Sequence, residues 1–216
     1  VLRLQPGDAL TLFDGRGGEW SARVQSMGRR DVEVEVRAHD AVERELPIAV
    51  TLALAMPAGD RMDIVVEKAT ELGAAAIQPL ISVRSVLRLS GERAARRVAH
   101  WQAIAVAACE QCGRNRLPVV HSVQPLDGWL AALAVPASEQ RFVLGWRDAE
   151  PWPAGLAPAP ARVTLLSGPE GGLTDDAAEA REFGRVIRPP PRPTHAAALG
   201  PFRALSRPGA GRRARD

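Results

Sequence analysis

A buried-strand pattern, Val163-Thr164-Leu165-Leu166-Ser167, runs into the glycine-rich turn Gly168-Pro169-Glu170-Gly171-Gly172 and then into Leu173-Thr174, where a helix can begin. In an open α/β sheet, ligands bind beyond the carboxyl ends of strands, and glycines at such a turn let the backbone approach a ligand closely. The turn lacks the Lys-Ser/Thr of a P-loop and the spacing of a dinucleotide fingerprint, so neither ATP nor NAD is favoured. A second polar group, Glu110-Gln111-Cys112-Gly113-Arg114-Asn115-Arg116-Leu117-Pro118, ends a long helical pattern, where cations are favoured by the helix dipole. A third runs from Glu67-Lys68-Ala69-Thr70-Glu71-Leu72-Gly73 through Ile77-Gln78-Pro79-Leu80 to Arg84-Ser85. Read from pattern alone, Glu67 and Lys68 are surface charges and the Arg114 segment is as well explained by a solvated helix end as by a site. Cys109 and Cys112 are spaced as half a zinc site or a redox pair. A structural zinc needs four ligands, and with no second cysteine pair the two are expected to be small packing residues, with no metal.

These segments need a scaffold, and the chain supplies two textures. Residues 1–48 read as β-structure: Ala9 to Phe13 leads into the turn Asp14 to Gly18, and Asp31 to Arg37 alternates apolar with polar, which suggests a small β-barrel. From about residue 49, short apolar strands alternate with helical periods, as in α/β folds. The strands are expected at 51–56, 74–81, 118–122, 141–146 and 162–167. Helices are expected over 60–72, with Ile64, Val65, Ala69 and Leu72 on its buried face, from Ser90 to Gly113, with Ala94, Val98, Trp101, Ala105 and Ala108 buried, around Trp129 to Leu133, and from Thr174 to Phe183.

Composition is that of a soluble globular chain, with 46% hydrophobic and 25% charged residues in 216, enough to bury a core without staples. No apolar run reaches the roughly 20 residues of a membrane span and no targeting segment is read, so the expectation is a cytoplasmic protein without a membrane partner. The first residue is Val1, so residues upstream of it are expected. Net charge is +3, yet residues 185–216 hold eight arginines against one acid, Asp216, which leaves the rest of the chain at −4. The basic character that would hint at nucleic acid is confined to the tail.

Taken together, in this order and spacing, Val1-Leu2-Arg3-Leu4, Gly7-Asp8, Arg61-Met62, Glu67 to Gly73, Ile77 to Pro79, Arg84-Ser85, Trp101, Glu110-Gln111, Arg114, Pro118 and Gly168 to Gly172 resemble the RsmE family of the SPOUT superfamily. The resemblance covers roughly residues 1–184. It implies a PUA-like β-barrel that helps hold RNA over residues 1–48 and a SPOUT-type methyltransferase domain over 49–186, an α/β fold threaded into a trefoil knot, a rare exception to ordinary chain connections. It implies homodimers that use S-adenosylmethionine to methylate N3 of a uridine in 16S ribosomal RNA or the small ribosomal subunit. The cofactor would be bordered by Leu144, Gly145, Leu166, Gly168, Pro169, Glu170, Gly171 and Gly172. Arg114 would stabilise negative charge on the uracil oxygens, with Glu110 as proton acceptor or orienting partner, and Arg3, Lys68 and Arg84 would contact RNA. Cys112 stands where the family commonly has Ser, which again makes the cysteines packing residues.

After Val186 the family runs on as a strand and then a segment resembling Arg-Ile-Leu-Arg-Thr-Glu-Thr-Ala, which closes the cofactor pocket. This chain has Ile187-Arg188-Pro189-Pro190-Pro191-Arg192-Pro193-Thr194-His195, whose prolines lack the donors of a central strand and oppose helix. Arg192-Pro193-Thr194-His195 can be encoded CGT CCT ACG CAC, and one base later the same bases read GTC CTA CGC, Val-Leu-Arg. Residues 187–216 are therefore expected to be an atypical tail produced by a shifted reading frame. Two rival readings follow. One is a catalytically impaired RNA-binding or ribosome-associated module. The other uses the glycine turn as an anion nest for a phosphorylated small molecule, against which the missing P-loop lysine counts.

Overall fold

The computed structural model describes residues 4–85, 87–133, 138–145, 149–153, 156, 160–169, 172–173 and 183–188. The N-terminal part is a three-stranded antiparallel sheet of β1 (Ala9–Leu12), β2 (Glu19–Met27) and β3 (Val32–Asp40) in the order β1-β2-β3. Leu10 pairs with Ala22 and Val24 with Val34, which gathers one apolar face. Only Ala22 and Val24 of that face are fully buried, and Val36 remains 54% exposed. Among the described residues these three strands pair as a meander, with β2 between β1 and β3. β2 carried no clear alternation in sequence.

The second part is a seven-stranded, all-parallel sheet: β4 (Ala49–Ala55), β5 (Ala76–Ile81), β6 (Val119–Val120), β7 (Gln124–Pro125), β8 (Glu139–Leu144), β9 (Arg162–Ser167) and β10 (Arg185–Ile187). The strand order is β10-β8-β9-β4-β5-β6, with β7 beside the end of β5. β4 and β9 lie side by side although the chain leaves β4 toward β5 and reaches β9 from β8. That reversal is a topological switch point, where a crevice opens beyond the carboxyl ends of the strands.

Helices α1 (Arg61–Glu71) and α2 (Gly91–Cys112) cover one face and pack around Trp101, Met62, Val66 and Ile77; α3 (Leu126–Ala132) and Phe183 cover part of the other, over Ala53, Leu80, Val143 and Leu166. Burying both faces requires the near-continuous apolar strands seen in the sequence. The α2 stripe lies as expected through Trp101, Ala105 and Ala108. The α1 stripe does not: Met62, Val66, Ala69 and Thr70 are buried, while Ile64 is 60% and Leu72 78% exposed. Met62, Val66 and Ala69 turn inward to the cluster with Leu54, Ile77 and Trp101, and Asp63 accepts from the Trp101 indole N–H (3.0 Å) and lies 2.9 Å from His100 Nε2. Ser90 occupies the α2 N-cap position without a side-chain capping bond, whereas Gly113 ends α2 in the left-handed conformation at φ 78°. The helix expected from Thr174 and the trefoil knot fall on residues outside those described.

Cys109 is fully buried in α2 and Cys112 is exposed. Burial pushes the Cys109 thiol up to about 11, so at neutral pH it is a thiol and a poor nucleophile. A disulfide-exchange reagent at pH 8 is expected to titrate one thiol in the native protein and two in denaturant; two native thiols reacting at equal rates would contradict this packing.

Candidate functional site

The site is built where β8, β9 and β4 end. Leu144 and Gly145 close β8, Leu166 and Ser167 close β9, and Met56 follows β4. Leu166, at 0% exposure, is the floor, and Leu144 is half-buried. Beyond Ser167 the chain turns sharply: the Gly172 N–H donates to the Pro169 carbonyl at 2.7 Å and Gly172 sits at φ 72°. A Cβ placed on Gly168 would lie 2.7 Å from the Leu173 nitrogen and 2.8 Å from the Gly172 carbonyl carbon. Both are backbone atoms, so Gly168 is required by the closeness of the turn. Gly145 is confined from the other side, where a Cβ would reach Val186 Cγ1 at 3.0 Å, and its N–H donates to the Ile187 carbonyl at 3.0 Å. The two glycines thus stand at the carboxyl ends of β8 and β9, each packed closely against its neighbours, with Leu166 buried in β9. Glu170, Gly171 and Arg3 lie outside the described residues.

One position holds the crevice from below. Gly184, which leads into β10, meets Arg141 of β8 so closely that an added Cβ would overlap the Arg141 carbonyl. Arg141 itself is locked between Glu139 (2.8 Å) and the Phe183 ring, with its guanidinium carbon 5.3 Å from the ring centroid, and Thr164 donates to Glu139 at 2.6 Å. Gly184→Ala is expected to destabilise the protein by about 3 kcal/mol, the upper range for overpacking. Denaturant unfolding checks this, and a loss under 0.5 kcal/mol would mean that β10 is not held so closely.

On the same edge, the turn after β5 carries Arg84. The Ser82 N–H donates to Ser85 Oγ at 3.0 Å and the two hydroxyls are 3.1 Å apart, which fixes a tight turn with Arg84 exposed at its tip. The Ser-x-x-Ser spacing is a turn signature that the sequence reading used only at Ser85.

The other expected residues are elsewhere. α2 runs opposite to the strands, so Arg114, just past its end, stands at the amino edge of the sheet. β5 alone puts about 20 Å between the two edges, at roughly 3.3 Å per residue. The Arg114 guanidinium is 7% exposed and committed: Nε and Nη2 donate to the Glu45 carboxylate, and Nη1 donates to the Thr70 (2.7 Å) and Ala74 (3.0 Å) carbonyls. Glu110 is exposed on the last turn of α2, away from the crevice. Within one chain, therefore, the structure does not bring Arg114 or Glu110 to the glycine turn. Lys68, on the outer surface of α1, is bound by Glu67 (2.7 Å) and Glu71 (2.9 Å), which raise its pKa by hydrogen bonding.

Comparison with known proteins gives this arrangement a family. Residues 1–37 match the RNA methyltransferase PUA domain and residues 44–185 the RNA methyltransferase domain. The chain is 34% identical over 178 residues to the ribosomal RNA small subunit methyltransferase E of Synechocystis, covering 82% of this chain and 57% of that protein's length. It is 32% identical over 180 residues to the protein of the same name from Bacillus subtilis, covering 81% and 70%. A crystal structure of ribosomal RNA small subunit methyltransferase E from Neisseria gonorrhoeae, bound to S-adenosyl methionine, superposes with a TM-score of 0.80 at 36% identity over 91% of this chain and 82% of that one. The parallel sheet with its glycine turn and the preceding small β-domain are the SPOUT and PUA-like parts of that architecture. This chain belongs to the ribosomal RNA small subunit methyltransferase E family.

Proposed function

We propose that this chain transfers the methyl group of S-adenosylmethionine to N3 of a uridine in the 16S RNA of the small ribosomal subunit. The observation that carries the reading is the tight glycine turn at the carboxyl end of β9, beside the β4/β9 switch point, in a chain of this family. Leu144, Gly145, Leu166, Gly168, Pro169 and Gly172 would hold the cofactor, with Glu170 and Gly171 between them in sequence. When bound, S-adenosylmethionine supplies an electrophilic methyl carbon on a sulfonium, so no metal is called for. The chain's own work is to exclude water from the crevice, hold the uracil so that N3 faces the methyl carbon, and accept the N3 proton. Arg84, exposed in the turn after β5, would meet an RNA phosphate. Lys68 is weaker in that role because two carboxylates already hold it. The enzyme is read as cytoplasmic and as a homodimer, for which exposed Ile64 and Leu72 on α1 offer apolar surface.

The test is methyl transfer from labelled S-adenosylmethionine to small subunits lacking the modification, with nucleoside analysis of the product. N3-methyluridine is the expected product, and label in any other nucleoside would overturn the reading. Arg84→Ala is expected to weaken RNA binding about tenfold and to lower the salt slope of binding by roughly one, as for one lost phosphate contact, with cofactor affinity unchanged. An unchanged slope would take Arg84 off the RNA.

A further inference from the structure

We propose that Arg114 to Leu117 form a latch that fixes the small N-terminal sheet against the cofactor domain, and that Arg114 serves methyl transfer by placing bound RNA over the crevice and not by touching the uracil. The second half of this inference rests on the function proposed above; the first does not.

Four consecutive residues hold two separate pieces of the N-terminal part. The connection between β3 and β4 is gripped by side chains: Arg114 binds Glu45, Asn115 Nδ2 donates to the Val42 carbonyl at 2.8 Å, and Arg116 Nε donates to Glu43 at 2.8 Å. The loop between β1 and β2 is gripped by backbone: the Gly17 N–H donates to the Asn115 carbonyl at 3.1 Å, and the Leu117 N–H donates to the Gly15 carbonyl at 3.0 Å. The fit is close. A Cβ on Gly15 would lie 2.6 Å from the Leu117 side chain and one on Gly17 2.6 Å from the Arg116 guanidinium, with both glycines at positive φ, 82° and 97°. Arg44 closes the loop by binding Glu19 of β2 at 2.6 Å. On the other side, Arg114 is anchored to the main domain through the Thr70 and Ala74 carbonyls, at the end of α1 and the approach to β5.

A guanidinium suits this task because its donors are fixed in one plane: a carboxylate takes two in parallel while a third points the other way at carbonyls. Lysine cannot reproduce that geometry. With four of its five N–H groups committed and the crevice at the far edge of the sheet, Arg114 is a positioning residue. Its contribution is to set the angle at which the small sheet presents RNA to the crevice.

The experiment uses the full chain and two readouts. Hydrogen exchange is measured at the Gly17 and Leu117 amides, with Leu54 and Leu166 as core references, in Glu45→Gln and Arg114→Lys. Both variants are expected to accelerate exchange at Gly17 and Leu117 by about tenfold or more with the references unchanged, the mark of a local opening. With RNA substrate, KM is expected to rise roughly tenfold with kcat within about threefold, as for a lost positioning contact. The antiparallel bridge between Arg16 and Arg116 brings their Cα atoms within reach of a disulfide. Arg16→Cys with Arg116→Cys, oxidised, in a Cys112→Ser and Glu45→Gln background, is expected to restore amide protection and KM, and reduction to remove the rescue. Should Glu45→Gln fail to fold, Glu43→Gln, which opens only the exposed Arg116 pair, is expected to accelerate Leu117 exchange by about threefold. Unchanged exchange in Arg114→Lys with a hundredfold fall in kcat at saturating RNA would overturn the proposal and place Arg114 at the base. If the unaltered chain transfers no methyl group, the function proposed above fails, while exchange still decides the latch.

Discussion

Gly168→Val is expected to raise the dissociation constant for S-adenosylmethionine by roughly 100-fold, a loss of about 2.7 kcal/mol. The reason is steric and local. A Cβ at residue 168 meets the Leu173 nitrogen and the Gly172 carbonyl carbon, both main-chain atoms that no rotamer change can move. The turn must open, which breaks the Gly172 to Pro169 hydrogen bond and displaces the backbone that would face the cofactor. Gly172→Ala provides the graded control. Space at Gly172 is open, so an alanine there meets only the cost of a positive φ, about 1 kcal/mol, or some fivefold in affinity. Calorimetric titration of each variant, with a thermal melt to show that it is folded, checks the series. Equal, small effects at both positions would remove this turn from the cofactor site.

The second large effect concerns residues 187–216. We propose that these residues read in a shifted frame, and a version of the chain re-read from about residue 187 is expected to bind S-adenosylmethionine at least about 100-fold more tightly than the chain as it stands. Arg185 to Ile187 still pair with Phe142 to Leu144 of β8, so the sheet reaches its edge strand before the prolines begin. Beyond that, Pro189, Pro190, Pro191 and Pro193 cannot donate the main-chain hydrogen bonds that a strand or a pocket-closing segment would offer. The family match ends at residue 185, next to the same point. Binding to the re-read chain alone would support both the frame and the enzyme. Equal affinity would show the tail to be compatible with the site, and binding to neither folded version would favour an RNA-binding module without catalysis. Genomic DNA gives an independent check, since the absence of a family-like reading in another frame would remove the proposal.

The sequence by itself determined the parts whose physics is local. Apolar runs of strand length at 51–56, 74–81 and 162–167, alternating with helical periods, indicate an α/β sheet, and the Ser90 to Gly113 period indicates a long helix with Trp101 inward. The glycine turn was legible because Gly168 and Gly172 answer to backbone geometry within five residues. Tertiary structure decided what depends on partners distant in sequence. The α1 stripe was misread because the helix face is set by packing of Met62, Val66 and Ala69 against Ile77 and Trp101, and Trp101 lies 38 residues after Asp63, which accepts from its indole. Arg114 was legible as a candidate site residue but not as an ion-pair partner. Its partner Glu45 lies 69 residues away, and the direction of α2 places it at the opposite edge of the sheet from the crevice. Short-range pattern thus carried the elements and the loop, while the pairing of charges across the fold joins residues that no local pattern relates.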